Sequence, residues 1–181
     1  VGAGTMGRGI AQLAAQRGIP EFVRDATEHR WDLRSFPSIA DRRVLLIGYG
    51  GVSKAIEARL AGFEVSIARL ARTAREETNL AGETVVVHSF SELHTQLAQA
   101  EIVILAVPLT DETRGLIDAA ALAALPDDAL LVNVARGPVV DTEALIAELR
   151  AGRLRAALDV TDPEPLPSDH ALWDCPGVLI S

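Results

Sequence analysis

Short apolar runs alternate with stretches of helical spacing along most of this chain of 181 residues. Runs that are apolar throughout are typical of strands buried on both faces of a parallel sheet. Because such runs alternate with helical stretches, the pattern predicts an α/β fold: a Rossmann-like, doubly wound parallel sheet with helices on both faces. The predicted strands are 44–47, 63–67, 84–87, 102–107, 130–134, 155–158 and 178–180. The predicted helices are 52–60, 89–100, 111–125 with an interruption near Gly115, and 141–150.

Residues 1–40 do not show this alternation and are predicted to form an N-terminal helical segment. We expect a helix over 6–16 and a second helical piece that runs through Trp31. A short loop with Pro37 then marks the boundary with the main domain, which is predicted to span 41–181.

The N-terminal segment contains a complete G-x-G-x-x-G motif at Gly2, Gly4 and Gly7. A dinucleotide fingerprint needs a strand before its first glycine, and here only Val1 precedes it. We therefore favour a helix over a second nucleotide site in this segment, and the role of the motif stays open.

A glycine turn (residues 48–50) joins the first predicted strand to the first predicted helix. Gly48 permits the tight turn, Gly50 lets the backbone approach a pyrophosphate, and the free N–H groups of the helix favour an anion. The third glycine of the usual pattern is replaced by Ser53, and an additional glycine stands at Gly51, so we expect some strain where helix and strand pack. Strand, turn and helix together predict a dinucleotide site.

The segment after the second predicted strand bears on the choice between NAD and NADP. An NAD-specific site places an acidic side chain near this strand end, where it accepts from the ribose hydroxyls. This chain has no acid there and instead carries Arg69, Arg72, Thr73 and Arg75. Such a basic cluster suits a 2′-phosphate, so NADP is favoured, although a solvated loop stays an open alternative.

Polar residues and a proline follow three further predicted strands. Ligands of open parallel sheets bind beyond the carboxyl ends of the strands. Val107 and Pro108 end the fourth strand, Arg136 follows the fifth, and Asp159 and Glu164 follow the sixth. The planar fork of an arginine suits a substrate carboxylate, and a glutamate on a stiff loop between two prolines suits the orientation of a catalytic base. For each charge alone, a surface ion pair is the alternative.

Composition narrows the classes of function. Hydrophobic residues make up 49% of the chain and aromatic residues 4%, which is typical of an aliphatic core between helices and a parallel sheet. The net charge of −8 argues against a nucleic-acid partner, and no apolar run approaches a membrane span. The lone Cys175 excludes an internal disulfide, and no metal site is expected because the histidines lack ligand spacing. These histidines are His29, His88, His94 and His170. A cytoplasmic location is expected.

From about residue 40 to 181 the chain resembles the NAD(P)-binding domain of D-isomer-specific 2-hydroxyacid dehydrogenases. The matching segments are VLLIGYG, AVPLTDETRGLID, LLVNVARGPVVDTEALIAELRAGRL and ALDVTDPEPLP. The piece RGIPEFVRDATEHRW resembles the helix that links the two domains of that family. The first 18 residues resemble the N-terminus of 3-hydroxyacyl-CoA dehydrogenases, with Asp25 at the ribose-binding position.

The resemblance implies roles for individual residues. Arg136 matches the catalytic, substrate-binding arginine, and Glu164 matches the acid that hydrogen-bonds the catalytic histidine. Asp159 matches the aspartate near the nicotinamide amide. The full set of candidate cofactor-binding residues is Gly48, Gly50, Gly51, Val52, Arg69, Arg72, Val107, Pro108, Thr113, Val134, Ala135, Arg136 and Asp159.

The implied activity is hydride transfer between C4 of a nicotinamide, NAD or preferably NADP, and C2 of a small 2-hydroxy or 2-oxo acid. In the family the acid–base histidine follows the seventh strand in a Pro-His pair, which is not within residues 1–181, and His170 matches a non-catalytic position. The substrate-binding half is also not matched, so residues 1–181 are expected to bind cofactor but to turn over poorly. A binding module without turnover and a 3-hydroxyacyl-CoA dehydrogenase-like fragment are the alternatives, and a homodimer is expected.

Overall fold

An eight-stranded sheet forms the centre of the computed structural model, which describes residues 38–181. The strand order is β3-β4-β2-β1-β5-β6-β7-β8, and every neighbouring pair is parallel except the antiparallel pair β3–β4. This order confirms the predicted doubly wound, Rossmann-like sheet. The strands are β1 (Arg43–Ile47), β2 (Ser66–Ala71), β3 (Arg75–Thr78), β4 (Thr84–Ser89), β5 (Ile102–Leu105), β6 (Leu130–Asn133), β7 (Arg155–Leu158) and β8 (Val178–Ile180).

Helices cover both faces of the sheet, as predicted. Along β1, Leu45 and Ile47 join a core cluster that α2, α3 and α4 cover, whereas Val44 and Leu46 join a second cluster with Leu60 of α1. No helix within the described range is long and apolar enough to cross a membrane. The helices are α1 (Gly51–Leu60), α2 (Leu93–Leu97), α3 (Ala119–Ala124) and α4 (Thr142–Arg150).

Two of the helices begin at an aspartate cap. Asp141 accepts a hydrogen bond from the backbone N–H of Ala144 at 3.0 Å, which confirms the predicted start of α4. Asp118 accepts one from Ala121 at 2.8 Å, so α3 begins later than expected. The predicted helix over 111–125 is therefore wrong up to its expected interruption near Gly115, because turns replace it there and Ile117 then forms a bridge with Val140.

The second strand lies further along the chain than its apolar residues indicated. Phe63 ends a one-turn 3-10 helix, and Glu64 adopts a left-handed conformation before β2 begins at Ser66. Parallel pairing with β1, from Arg43 opposite Ser66 to Ile47 opposite Leu70, determines these bounds. Arg69 therefore lies inside β2 and not after it. Strand β3 was not predicted, because its sequence is polar and only its pairing with β4 makes it a strand.

The helix predicted over 89–100 is also shorter. A one-turn 3-10 helix over Phe90–Glu92 comes first, and Ser89 caps it by accepting from the N–H of Ser91. Three predictions concern residues 1–37, which lie outside the described range, or the first described residues. They are the N-terminal helical segment, its boundary near residue 40, and the motif at Gly2, Gly4 and Gly7. All three stay predictions.

Candidate cofactor-binding site

The residues that follow several strands lie in one row along the carboxyl edge of the sheet. Each donates its backbone N–H to a carbonyl at or near the end of a neighbouring strand, with donor–acceptor distances of 2.7 to 3.2 Å. The hydrogen-bond ladder of the parallel sheet thus extends one residue beyond the strands and holds the starts of the loops side by side. These residues are Gly48 after β1, Ala106 after β5, Val134 after β6, Asp159 after β7 and Ser181 after β8.

The glycine turn packs directly against the loop that follows β5. Gly48 has a φ of +89°, and a Cβ atom there would lie 2.5 Å from the carbonyl oxygen of Ala106 and 2.7 Å from a methyl group of Val107. Only glycine fits both the backbone angle and this close approach. Val107 is consequently buried beneath the turn, whereas Pro108 beside it is exposed.

Open space lies above the second half of the turn. Gly50 has an extended backbone, and added Cβ atoms at Gly50 and Gly51 would meet nothing within 4 Å. No side chain of the described residues caps α1, so its first N–H groups have no side-chain acceptor there. Val52, in this first turn, is 48% exposed. An uncapped helix N-terminus with free space above it fits the pyrophosphate of a dinucleotide.

Ser53 changes the expected effect of the missing third glycine. Its side chain is buried, and its hydroxyl donates a hydrogen bond to the carbonyl of Gly48. The serine therefore ties the first turn of α1 to the glycine turn. The expected strain stays a prediction, but the buried hydroxyl has a hydrogen-bond acceptor.

Arg69 does not follow its strand as a free cation but is engaged below the glycine turn. Its guanidinium donates to Glu57 through Nη2 at 2.6 Å and Nε at 3.0 Å, and its side chain is 15% exposed. Tyr49, the middle residue of the turn, donates its hydroxyl to the same carboxylate at 2.6 Å. The structure thus gives Arg69 an internal partner in place of the phosphate that its predicted position implied.

The charges in this cluster reinforce one another. Burial by itself would raise the pKa of Glu57, but hydrogen bonds from Arg69, Tyr49 and Asn79 outweigh it and lower the pKa to about 2. Burial, together with the neighbouring Glu57 carboxylate, raises the pKa of Tyr49 to about 12. At neutral pH the cluster therefore holds an ionised carboxylate, a guanidinium cation and a protonated phenol.

Two other arginines, Arg72 and Arg75, come after β2, at the end of which the fold would place an adenosine ribose. Arg72 follows the strand, and its side chain is 75% exposed, with Nη1 3.6 Å from Oε2 of Glu112. Arg75, the first residue of β3, donates Nη2 to the carbonyl of Tyr49 at 3.1 Å. The sequence places Arg75 in the basic cluster but not among the candidate site residues, and the unexpected strand β3 is what brings it to the turn.

The loop that carries Arg136 is held by a buried asparagine. The amide oxygen of Asn133, the last residue of β6, accepts from the N–H of Ala135 at 3.0 Å, and its amide nitrogen donates to the carbonyl of Arg136 at 3.1 Å. Asn133 is 1% exposed, whereas the Arg136 side chain is at the surface. Asn133 was missed by sequence reasoning; an asparagine at the end of an apolar strand was the available signal.

The loops after β6 and β7 touch each other. A Cβ atom on Gly137 would overlap the carbonyl of Thr161, so this glycine permits the approach. The hydroxyl of Thr142 adds a hydrogen bond to the carbonyl of Asp162 at 3.2 Å. The structure therefore brings the loop with Arg136 against the loop with Glu164, whose side chain is exposed.

Two further candidates have structural partners, Thr113 within its own loop and Asp159 in the residue that follows β8. The buried hydroxyl of Thr113 donates to the carbonyl of Pro108 at 2.6 Å and accepts from the N–H of Thr110 at 2.8 Å, so it shapes the loop after β5. Asp159 accepts from the hydroxyl of Ser181 at 3.1 Å. His170 caps a 3-10 helix through Nδ1, and the described residues contain no cluster of side chains that could hold a metal ion.

Known proteins match this chain over much of its length. The family described as D-isomer specific 2-hydroxyacid dehydrogenase, NAD binding domain, matches residues 1–181. The glyoxylate reductase of Thermofilum pendens is 36% identical over 177 residues, which cover 93% of this chain and 51% of that protein. The glyoxylate/hydroxypyruvate reductase B of Citrobacter koseri is 39% identical over 136 residues, or 74% of this chain and 41% of that protein. The chain thus spans about half the length of these curated relatives.

The fold is also shared with solved structures. The crystal structure of a D-isomer specific 2-hydroxyacid dehydrogenase from Xanthobacter autotrophicus Py2, in complex with NADPH and MES, is 41% identical and superposes with a TM-score of 0.75. The match covers 93% of this chain and 69% of that chain. Sequence and fold therefore agree, and the chain belongs to the NAD-binding domain of the D-isomer specific 2-hydroxyacid dehydrogenase family.

Proposed function

We propose that this domain binds NADP(H) within an oxidoreductase that interconverts small 2-oxo acids and 2-hydroxy acids. The observation that carries the proposal is the single row at the carboxyl edge, which aligns the glycine turn with the loops of Arg136 and Glu164. Relatives named as glyoxylate and hydroxypyruvate reductases support this class of substrate, and the Xanthobacter structure with NADPH supports the cofactor.

Residues of the glycine turn and of the carboxyl edge would bind the cofactor. The N–H groups at Gly50 and Gly51 would hold the pyrophosphate, and Arg72 would pair with the 2′-phosphate after leaving Glu112. Val107 supports the turn from below, and Pro108, Val134, Ala135 and Asp159 would line the cofactor at the same edge. When bound, the nicotinamide supplies or accepts a hydride.

Arg136 is the proposed substrate-binding group. Its side chain is exposed at the edge, and Asn133 fixes its backbone, so its guanidinium can form two parallel hydrogen bonds to a carboxylate. Glu164 would support the acid–base histidine that the family resemblance implies. The carboxylate would thereby be held with its 2-oxo group toward the cofactor.

The cofactor preference is tested by titrating residues 1–181 with NADPH and NADH at low salt. A charge-assisted contact to the 2′-phosphate is worth about 1.5–3 kcal/mol, so NADPH should bind at least about tenfold more tightly. Arg72→Ala should reduce this ratio toward one. Arg59→Ala is the matched control and should leave the ratio unchanged, because Arg59 donates to the carbonyl of Ala55 in its own helix. Equal dissociation constants in the parent protein would contradict the preference.

The reaction is tested with glyoxylate and hydroxypyruvate as substrates of the protein that contains this domain. We expect NADPH oxidation with both, and Arg136→Ala should lower kcat/KM at least about tenfold by removing a charged contact. Arg150→Ala, in the last turn of α4, is the control. Unchanged kcat/KM in Arg136→Ala would show that another group binds the carboxylate.

Sedimentation of the same sample tests the expected homodimer.

A further inference from the structure

A buried carboxylate lies beneath the glycine turn in a cluster that the proposed function does not use. Both oxygens of Glu57, on α1, are filled by hydrogen bonds. Oε1 accepts from Nη2 of Arg69 at 2.6 Å and from the amide of Asn79 at 3.0 Å. Oε2 accepts from the Tyr49 hydroxyl at 2.6 Å and from Nε of Arg69 at 3.0 Å. One side chain thus connects the turn, β2 and the end of β3.

Tyr49 is fixed by contacts of its ring and its backbone carbonyl as well as by the hydrogen bond of its hydroxyl. Its ring lies under two cations, with Nζ of Lys54 and the guanidinium carbon of Arg69 each 5.7 Å from the ring centre. Its carbonyl accepts from Arg75 at 3.1 Å. Since Gly48 is tied to Ser53 by a further hydrogen bond, the turn is fixed by its backbone and by the one side chain that points inward.

The edge strand β3 is part of the same assembly. Nζ of Lys54, on α1, is 2.6 Å from Glu77 and donates to the carbonyl of Thr78 at 3.0 Å, and Asn79 reaches Glu57 directly. Among the described strands, β3 pairs with β4 alone. These polar contacts therefore attach the added strand to α1 and to the glycine turn.

A charge at this position is not needed for packing alone. Removal of a carboxylate from water is costly, and apolar side chains of similar volume often stabilise a buried site as well or better. Here a carboxylate accepts bonds from three elements that meet under the turn, and its value lies in the single geometry that it imposes on them.

We propose that Glu57 is a positioning residue that fixes the glycine turn, through Tyr49, in the conformation that receives the pyrophosphate. This inference rests on the proposed binding of NADP(H) at the turn. When a turn samples several conformations, its apparent affinity for the cofactor is reduced to the fraction of molecules in the binding conformation. Loosening Tyr49 should lower that fraction and so weaken the apparent affinity. Loss of one charge-assisted hydrogen bond corresponds to roughly tenfold in affinity.

Two variants of residues 1–181 test the proposal by titration with NADPH. Tyr49→Phe keeps the ring under its two cations and removes only the hydroxyl, and Glu57→Gln removes the charge at nearly constant shape. Both should raise the dissociation constant by roughly tenfold. Glu148→Gln is the matched control: Glu148 also pairs with an arginine at 2.6 Å, Arg153, but on α4, and its loss should leave the affinity unchanged.

A second ligand separates positioning from a general structural effect. Adenosine 2′-phosphate lacks the pyrophosphate, so its affinity, measured by NMR titration, should be the same in parent and variants. ADP, which carries the pyrophosphate, should weaken in the same ratio as NADPH. An equal loss for adenosine 2′-phosphate would show that the cluster merely stabilises the fold and would overturn the proposal.

The two proposals fail in different ways. Parent-like NADPH affinity in Tyr49→Phe overturns the role of Glu57 and leaves the proposed function intact. Absence of NADPH binding by the parent protein overturns the proposed function and this inference with it. If Glu57→Gln does not fold, Tyr49→Phe alone decides, because its apolar packing is retained.

Discussion

Two glycines of the glycine turn have different physical tasks. Gly48 combines a φ of +89° with a carbonyl 2.5 Å from the position of a Cβ, so its lack of a side chain serves the fold. Gly50 has an ordinary extended backbone and empty space around it, so its lack of a side chain is not needed for the fold and leaves room for the proposed pyrophosphate. A substitution at Gly50 can thus separate binding from folding.

Gly50→Val should fold like the parent and bind NADPH at least about tenfold more weakly, because a branched side chain would occupy the space of the pyrophosphate and break its charge-assisted bonds. Thermal unfolding and titration measure the two effects. Gly62→Val is the control, since Gly62 lies beyond the other end of α1 and also has free space. A variant that binds as tightly as the parent would place the site elsewhere.

At the scale of the elements, polar bonds determine how the loops and the edge strand are arranged. Gly137 allows the loops after β6 and β7 to meet, and Asn133 keeps the backbone of Arg136 in place. On the other side of the sheet, Glu57 joins α1 to β2 and to the end of β3. Such bonds link segments that are far apart in sequence.

The Glu57 cluster makes stability depend on acid pH. The pKa of Glu57 falls from 4.5 to about 2 in the folded protein, so folding is stabilised above the unfolded value and loses this contribution as the pH falls toward 2. Between roughly pH 5 and pH 2, the unfolding free energy of the parent should fall by up to about 3 kcal/mol more than that of Glu57→Gln. Urea denaturation across this range measures the difference. Parallel curves for the two proteins would contradict the lowered pKa.

At the scale of the whole molecule, the order of the strands determines where stability is concentrated. The central strands β1 and β5 pair on both sides, and their side chains enter both apolar clusters. The edge strands β3 and β8 each pair on one side, and β3 is largely exposed. Buried, doubly paired strands open only with the global free energy, whereas edges open locally.

Hydrogen exchange should follow this order. Amides of β1, β5 and β6 should exchange most slowly, and those of β3 and β8 should exchange faster by one or more orders of magnitude, since about 1.4 kcal/mol of opening free energy is a factor of ten. Hydrogen exchange at neutral pH, followed by peptide mass spectrometry, measures these exchange rates. Equal protection of β3 and β1 would mean that the polar contacts of Glu57 and Lys54 make the edge strand part of the global core.

Local patterns in the sequence determined the class of fold and most of the edge residues. Apolar runs that end in a glycine turn, in Val107-Pro108, in Arg136 and in Asp159 are all short-range features, and parallel strands align their carboxyl ends by geometry. The long motif segments likewise identified the family, which the comparisons confirm. The N-terminal segment and the assigned roles of the site residues stay predictions.

Only the tertiary structure decided which polar side chains stay exposed at the carboxyl edge of the sheet and which bond to one another. Arg69 and Arg72 are three positions apart, yet pairing with β1 places Arg69 inside a strand against Glu57 and leaves Arg72 exposed beyond its end. Strand β3 exists because β4 pairs with it, and the contact between Gly137 and Thr161 exists because β6 and β7 are neighbours. The energy of such contacts depends on partners distant in the chain, and no local pattern carries that information.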